Sequence, residues 1–437
     1  MRTVRNIFAL LIVASVMLTS CKAATPTAAP EEEIVITFWH QEQVDRRIKV
    51  LDKLFDEFYE ETGIRVVQET MTWDEQYVKL MSAIEAGNPP DITWGTEDTA
   101  VTLLEAGAIY PVTDLVKNLD AQYTYVPSHR DRLFWDGEYW AVPVLGLSYN
   151  FWYRADMFEE AGLEPPETWD DVIAAAEALN DPPNRWGIAL PTGETLYGDQ
   201  VMMSLLFANG GKVMASGNEL VVNSPEMVKA LEIYRDLAQF TPPDAGNYTW
   251  PEAGQAFAQG KAAMLITFNA VLDYDIVEGN VPENLGIVRM PETPGKDVRT
   301  VSYTLCIMFL TDDPVKLEAI QTWLSWMMEP ENYGEWAAEF EPGLFLPITE
   351  AGLESESFFG HEMIAPYQEQ VHSILELTQL NTCTTWEVGE KPDPFSGTIY
   401  LGFPTIKAAQ LVLFEGATPV EGAAEAERII KENLGRE

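Results

Sequence analysis

The chain contains few of the residues that bind soft metals. Among its 437 residues are three cysteines and four histidines, and no two cysteines are separated by two residues. Zinc sites draw three or four ligands, mostly Cys and His, and often from such closely spaced pairs. The composition therefore argues against a zinc protein, and the sequence calls for no metal and no cofactor.

Positive charge is scarce as well. The 27 Lys and Arg residues face 69 Asp and Glu residues, which gives a formal net charge of -42 at pH 7. A field of that sign repels the phosphates of nucleic acids and excludes nucleic-acid binding driven by charge. The sequence also lacks an arginine cluster and a glycine-rich phosphate loop, which disfavours phosphate-bearing ligands and places any ATPase activity on another chain.

Long apolar runs are missing except at the N-terminus. The run at residues 7–18 follows Arg2 and Arg5 and is too short to cross a bilayer about 30 Å thick, as expected of a secretion signal. It ends in Leu-Thr-Ser-Cys and so resembles a bacterial lipoprotein signal, which predicts a signal peptide at 1–21 with Cys21 lipidated. A plain signal peptide cleaved nearby, or a buried apolar helix, is the alternative.

Residues 22–33 are rich in Ala, Thr, Pro and Glu and show no periodicity, which is typical of a flexible tether. The sequence therefore predicts an extracytoplasmic domain held at the cell membrane by its N-terminal lipid. Cys306 and Cys383 could pair in that oxidising compartment, or remain as two buried thiols. The sequence leaves both open.

The remaining composition is that of a folded protein. Hydrophobic residues make up 46% of the chain and aromatic residues 11%, so there is enough apolar surface for two or three domains. From Ile34 onwards, short β-rich runs alternate with amphipathic helical patterns, which predicts an α/β fold with a largely parallel sheet. In particular, Thr72 to Glu75 has the spacing of a capping box and is expected to open a helix. Three tryptophans, Trp323, Trp326 and Trp336, follow helical spacing and are expected to pack in the core.

Several segments, taken in order, resemble the extracellular solute-binding proteins of bacterial ABC importers, specifically the large sugar-binding family. The segments that carry this resemblance are Ile36 to Trp39, Thr62 to Val66, Ala86 to Ile92, Tyr139 to Pro143, Tyr149-Asn150, Ala161 to Leu163, Pro166 to Asp170 and Phe257 to Met264. The resemblance implies a two-lobed fold of the type II periplasmic-binding-protein kind, with a ligand cleft between lobes that close by hinge bending. It covers residues 34 to 310 well and the last 120 residues loosely.

By the same resemblance, the lobes are discontinuous in sequence. The N-terminal lobe is expected at 34–145 and 299–347, and the C-terminal lobe at 146–298 and 348–437. The implied partners are a carbohydrate, a transmembrane permease and a separate ATPase subunit, with the protein itself a monomer.

Candidate ligand contacts in the first lobe follow predicted strands. A sugar offers hydroxyl edges and flat C–H faces, so its site needs polar side chains beside aromatic rings. The loops after the first and third strands provide both, and Trp73 precedes a helix near the same edge. These candidates are Trp39, His40, Gln41, Trp73, Trp94, Glu97 and Asp98.

The second lobe and the tail supply further candidates. Tyr197 and Trp250 lie in loops rich in Gly and Pro. Where the family often has a Gly-x-Trp after the segment ending at Met264, this chain has Thr267-Phe268-Asn269, which puts that stacking contact in doubt and leaves Asn269 as a hydroxyl partner. Trp386 is the expected replacement platform, with Phe345 as a weaker one.

We therefore predict a non-enzymatic protein that captures a mono- or oligosaccharide. A secreted carbohydrate-active hydrolase is one alternative, because acids such as Glu97 and Asp98 could flank a scissile bond. The others are a binding protein for a non-sugar polar or cationic solute, and an adhesin or scaffold.

Overall fold

Strands and helices alternate along residues 33–73, 75–296, 298–380, 382–383, 399 and 401–436, which the computed structural model describes. The strands are β1 (Val35–His40), β2 (Arg65–Thr70), β3 (Ile92–Gly95), β4 (Phe134–Trp135), β5 (Glu138–Tyr139), β6 (Val142–Arg154), β7 (Met214–Ala215), β8 (Glu219–Leu220), β9 (Met264–Phe268), β10 (Leu285–Val288), β11 (Thr300–Phe309) and β12 (Thr382–Cys383). The helices are α1 (Asp45–Thr62), α2 (Gln76–Glu85), α3 (Glu97–Glu105), α4 (Thr113–Tyr123), α5 (Pro127–Arg130), α6 (Ala155–Ala161), α7 (Trp169–Leu179), α8 (Leu196–Ala208), α9 (Pro225–Ala238), α10 (Trp250–Ala258), α11 (Val271–Glu278), α12 (Pro314–Met327), α13 (Pro330–Phe340), α14 (Glu350–Leu353), α15 (Glu356–Phe359), α16 (Gln368–Leu380), α17 (Pro404–Phe414) and α18 (Pro419–Asn433).

The strands form one curled sheet with the order β10-β6-β11-β3-β1-β2, to which β9 is added beside β6 and β12 beside β11. β1 pairs in parallel with β2 and β3, as the βαβ pattern predicts. The prediction of a largely parallel sheet is wrong for most of the other pairs, because β6 and β11 cross the molecule and pair antiparallel with each other and with β3, β9 and β10. The pair formed by β11 and β12 is parallel.

The crossing strands divide the sheet into two parts. β6 pairs with β11 through its first half and with β9 and β10 through its second half. We call the part built on β1, β2 and β3 the first lobe and the part built on β9 and β10 the second lobe. Helices α1, α12 and α13 pack in the first lobe, whereas α10 and α16 pack on β9 and β10.

Local caps explain where two of the later helices, α7 and α9, begin. Thr168 and Asp171 form a reciprocal capping box at the start of α7, and the Ser224 side chain accepts a hydrogen bond from the Met227 backbone ahead of α9. The helix expected from Thr72 starts later: Thr72 Oγ1 accepts from the Glu75 backbone N–H, and α2 begins at Gln76. The box spacing at Thr72 therefore makes a turn rather than a helix cap.

The core is continuous through both lobes. Trp323, Trp326 and Trp336 are buried, which confirms their predicted packing role. Cys306 is a buried free thiol whose Sγ lies 3.5 Å from the Gly95 carbonyl oxygen, while the backbone of Cys383 pairs with Val301. Within the described ranges, no helix is both long and apolar enough to span a bilayer. The predicted signal peptide, Cys21 and residues 22–32 of the tether lie outside those ranges.

Candidate ligand-binding site

A cavity of about 530 Å³ lies between the two lobes, a volume suited to a small ligand. Its walls are mostly aromatic. The rings that line it are Trp73, Tyr77, Trp250, Phe268, Tyr274, Tyr303, Phe345 and Phe403. Phe403 is the residue before α17 and has a positive φ of 52°, a conformation that is unfavourable for a non-glycine residue and that recurs at ligand sites.

The second-lobe wall is held in place by a row of hydrogen bonds. Trp250 Nε1 donates to the Tyr149 hydroxyl at 2.9 Å, and that hydroxyl donates to Gln200 Oε1 at 2.8 Å. Gln200 Nε2 in turn donates to the Tyr303 hydroxyl at 3.3 Å. The indole of Trp250 also stacks beside Phe268, with ring centroids 6.4 Å apart. The row fixes a flat aromatic platform beside an amide, which suits a ligand with both ring faces and hydroxyls.

Charged groups of the first lobe complete the lining. The Arg47 guanidinium contacts the carboxylates of Glu42 and Glu341 and lies 5.6 Å from the centroid of Phe345. Asp98 also lines the cavity and is 5% exposed. Burial and the neighbouring Glu97 carboxylate raise the pKa of Asp98 well above its usual value. Among the described residues, no three His, Cys, Asp or Glu side chains are grouped to hold a metal ion.

Four of the candidates taken from the sequence line the cavity: Trp73, Asp98, Trp250 and Phe345. Two others stand directly behind it. Gln41 Nε2 donates to Gln76 Oε1 at 2.9 Å, and Gln76 reaches the cavity. Tyr197 is buried with its ring centroid 5.8 Å from that of Trp250, and its hydroxyl donates to the Ile266 carbonyl.

The other candidates of the first lobe lie away from the cavity. Trp94 is fully buried among Phe38, Trp336 and Phe340, and Trp39 is half-buried beneath the Lys79 ammonium, which lies 4.9 Å from its ring centroid. These positions follow from the strand pleat, which turns alternate residues into the core.

His40 and Glu97 are also buried. His40 Nδ1 accepts from the Glu42 backbone N–H, which places the ring proton on Nε2, 2.7 Å from Gln68 Oε1; burial lowers the pKa of His40 to about 4, so the ring is neutral at pH 7. Glu97 is fully buried and paired with Arg132 at 3.1 Å.

The last two residues predicted from the sequence to contact the ligand are Asn269 and Trp386. Asn269 is fully buried and its Oδ1 accepts from Asn150 Nδ2 at 2.9 Å, whereas its neighbour Phe268 reaches the cavity. Trp386 lies outside the described residues.

Several cavity residues were missed from the sequence, and they share a position. Arg47, Tyr77, Gln200 and Tyr274 stand near the starts of α1, α2, α8 and α11. The candidates taken from the sequence lie in predicted loops, because aromatic residues inside helices are expected to face the core. Helices α1, α2 and α11 each follow a strand, and the first turn of such a helix faces the same sheet edge as the loop, so Arg47, Tyr77 and Tyr274 could have been included. Helix α8 follows α7, so no strand in the sequence points to Gln200.

An ion pair joins the two lobes next to residues that line the cavity. Arg46 Nη1 of α1 lies 2.6 Å from Asp273 Oδ1 of α11. Beside this ion pair, Gly343 has a φ of +77°, and a Cβ atom at this position would lie 2.6 Å from Leu272 Cδ2. The described conformation is therefore one in which the lobes touch across the cavity.

Replacing Asp273 with Asn should weaken ligand binding modestly. The ion pair joins the lobes only when they are close, and partly exposed pairs contribute about 0.2–1 kcal/mol, equivalent to a factor of about 1.5–5 in affinity. Calorimetric titration at low salt should show this loss, and the loss should shrink in 1 M salt because exposed charges are screened. Asp156→Asn, which breaks the Arg154 pair within the second lobe, is the matched control. An equal loss in that control would contradict the interlobe role of Asp273.

Comparison with known proteins gives consistent matches. A family model described as bacterial extracellular solute-binding protein matches residues 45–334, about two thirds of the chain. A relative, YcjN of Escherichia coli (strain K12), is named for the periplasmic-binding component of an ABC transporter; it is 28% identical over 369 residues, which cover 83% of each chain.

Solved structures match over nearly the whole fold. A solute-binding protein of an ABC transporter from Agrobacterium radiobacter K84, in complex with ribitol, has a TM-score of 0.76 at 24% identity and covers 91% of this chain and 98% of its own. Another from Thermotoga lettingae TMO, bound with α-D-tagatose, has a TM-score of 0.73 at 23% identity and covers 92% and 100%. These matches confirm the two-lobed α/β fold expected from the sequence.

Proposed function

Since the chain belongs to the family of bacterial extracellular solute-binding proteins, as its sequence motifs indicate, we propose that it captures a carbohydrate and delivers it to an ABC importer. The observation that carries this proposal is the cavity itself. Eight aromatic rings line it, and the side-chain amides of Gln76 and Gln200 also line it and can form hydrogen bonds with a ligand. Ring faces stack on the C–H faces of sugars, and amides match their hydroxyl edges. The ribitol and tagatose bound by the two similar structures are polyhydroxylated ligands of this kind.

The proposed ligand contacts combine the sequence candidates and the structure. Trp73, Asp98, Trp250 and Phe345 are retained because they line the cavity, and Arg47, Tyr77, Gln200, Tyr274 and Phe403 join them. Trp39, His40, Trp94 and Glu97 are proposed as structural instead, since none of them lines the cavity. Gln41, Tyr197 and Asn269 would support the lining from behind.

The proposed ligand binding is noncovalent, and no residue is assigned a catalytic role. The hydrolase alternative takes Glu97 and Asp98 as the acids that flank the scissile bond, but only Asp98 lines the cavity, and Glu97 is buried behind it and paired with Arg132. The non-sugar and scaffold alternatives are not favoured by a family whose similar structures hold a polyol and a sugar.

The proposed cellular setting follows the N-terminal sequence and the family. Residues 1–21 would be the lipoprotein signal, Cys21 the lipidated residue and 22–33 the tether to the outer face of the cell membrane. The protein would act as a monomer and meet a permease and an ATPase encoded as separate chains.

The proposed lobe boundaries agree with the sequence prediction for the first two points at which the chain crosses between the lobes, and they differ for the third. The chain would leave the first lobe within β6 and return within β11. The sequence prediction placed the next crossing near Pro347, but α14 and α15 pack against α13, and α14 also packs against α4. We therefore propose that residues 348–359 belong to the first lobe and that the chain crosses between α15 and α16.

A thermal-shift screen of the mature protein against monosaccharides, oligosaccharides and polyols tests this function. A ligand that binds only the native state stabilises it by about 2.7 kcal/mol at one hundred times its Kd, which raises Tm by several degrees. We expect such a shift for a narrow set of related saccharides. A flat response across the whole panel would remove the proposal.

Replacing Trp250 with Ala should weaken saccharide binding by more than tenfold. The change removes the stacking platform and leaves the Tyr149 hydroxyl without its donor. Calorimetric titration measures the affinity. Trp39→Ala is the matched control because Trp39 is also a half-buried tryptophan but does not line the cavity, so its affinity should change less than threefold. Equal losses in the two variants would contradict the placement of the platform.

A further inference from the structure

The carboxylate of Asp98 is a buried acidic group without a countercharge. Asp98 is the second residue of α3, is 5% exposed and borders the cavity. Within the described part of the chain its side chain makes no hydrogen bond or ion pair, and its buried Oδ1 atom is without a partner. A buried carboxylate without a partner is costly, so the group stays ionised only with compensation from elsewhere.

The groups around Asp98 do not supply that compensation. Its titratable neighbours, Glu97, Tyr77 and Cys306, are all acids. Within the described residues, Arg132 makes no hydrogen bond or ion pair with Asp98: its Nη1 donates to Glu97 and to the Ser302 carbonyl oxygen, and its Nε and Nη2 atoms have no partner. Burial and the Glu97 charge raise the pKa of Asp98, which is the response of a carboxyl group that lacks a cation.

The rest of the cavity is also short of positive charge. Among the described residues, its lining holds three acidic side chains, Glu42, Asp98 and Glu341, and one basic side chain, Arg47. Arg47 is shared between Glu42 and Glu341, and within the same part of the chain the Oε1 atom of Glu42 has no partner. The lining therefore has an excess of two acidic groups, set among ring faces that can themselves attract a cation.

We infer that the carbohydrate carries a protonated amine, as in an amino sugar or an aminocyclitol, and that this amine pairs with Asp98 inside the aromatic cavity. The inference rests on the proposed carbohydrate-binding function. An ammonium group would supply the missing countercharge and donate a charge-assisted hydrogen bond to the Asp98 carboxylate, which a neutral hydroxyl does only more weakly. The net charge of -42 on the whole chain would also draw such a ligand towards the cleft.

Calorimetric titration of the mature protein at pH 7 with matched sugars tests this inference. The panel contains D-glucose, D-glucosamine and N-acetyl-D-glucosamine, the corresponding galactose series, and cellobiose, chitobiose and diacetylchitobiose. We expect at least one free amine to bind ten times more tightly than both its hydroxyl and its N-acetyl counterparts. Asp98→Asn should reduce that preference to less than threefold, whereas the exposed Asp114→Asn, the same change outside the cavity, should preserve it.

Each other outcome has a definite meaning. Neutral sugars that bind as tightly as the amines would overturn the inference while the carbohydrate function stands. If no member of the panel binds, the inference falls, and the thermal-shift screen decides the carbohydrate function separately. An amine preference that survives in Asp98→Asn would overturn Asp98 as the partner. The comparison of the free amine with its N-acetyl form uses the unmodified protein, so it decides the question even if the variant does not fold.

Discussion

Replacing Trp94 with Ala is expected to lower the free energy of unfolding by about 3–5 kcal/mol, the range for truncation of a large buried aromatic side chain. The Trp94 side chain is 0% exposed and packs edge-on against Phe38 and Phe340, with ring centroids 6.1 Å and 5.6 Å away. Denaturant unfolding followed by tryptophan fluorescence or circular dichroism measures the loss.

Trp73→Ala is the control for this loss. Trp73 is 36% exposed and lines the cavity, so its truncation should cost about 1 kcal/mol or less in stability while weakening ligand binding. If Trp94→Ala unfolds at the same denaturant concentration as the parent protein but binds ligand poorly, Trp94 acts at the cleft, as the sequence alone predicts, and the core position is wrong.

Replacing Arg132 with Met should also cost about 3–5 kcal/mol in unfolding free energy, because it leaves the Glu97 carboxylate charged, buried and unpaired. Both side chains are fully buried, and each also touches β11: Arg132 donates to the Ser302 carbonyl oxygen and Glu97 accepts from the Thr304 backbone N–H. The pair thus braces the strand that crosses between lobes. Thermal and denaturant unfolding of the variant measure the effect.

A double variant separates the unpaired charge from the lost contacts. Arg132→Met combined with Glu97→Gln removes both charges and should recover a large part of the stability, since the desolvated carboxylate is gone. Arg130→Met is the surface control: Arg130 is paired with the partly exposed Asp120 and Asp131, and its loss should cost about 1 kcal/mol or less. Single and double variants of equal stability would contradict a penalty from unpaired charge.

The sequence predicts elements well where the signal is local. β9 begins and ends where its apolar run does, and α9 starts at the serine and proline that cap it. A cap depends on four consecutive residues, so it can be read without knowing the fold. The failure at Thr72 shows the limit, because the same spacing there forms a turn and α2 starts at Gln76.

The site was harder to predict because it depends on which way a strand end faces. Trp94 and Asp98 are four residues apart at the end of one strand, yet only Asp98 lines the cavity. Sequence periodicity identifies the strand but not the packing of α13 over it, which encloses Trp94 between Trp336 and Phe340. Likewise, the pairing of Arg47 with Glu341 joins positions 294 residues apart that no local pattern connects.

The length of β6, thirteen residues, has a consequence for how the protein unfolds. The first half of this strand pairs with β11, and the second half is the strand on which both β9 and β10 pair. Neither half of the protein therefore contains all the strands with which its own strands pair. A chain cut after residue 154 would expose a sheet edge with unpaired backbone N–H and C=O groups. The protein should melt in one cooperative transition, and its halves should be insoluble when produced as separate fragments.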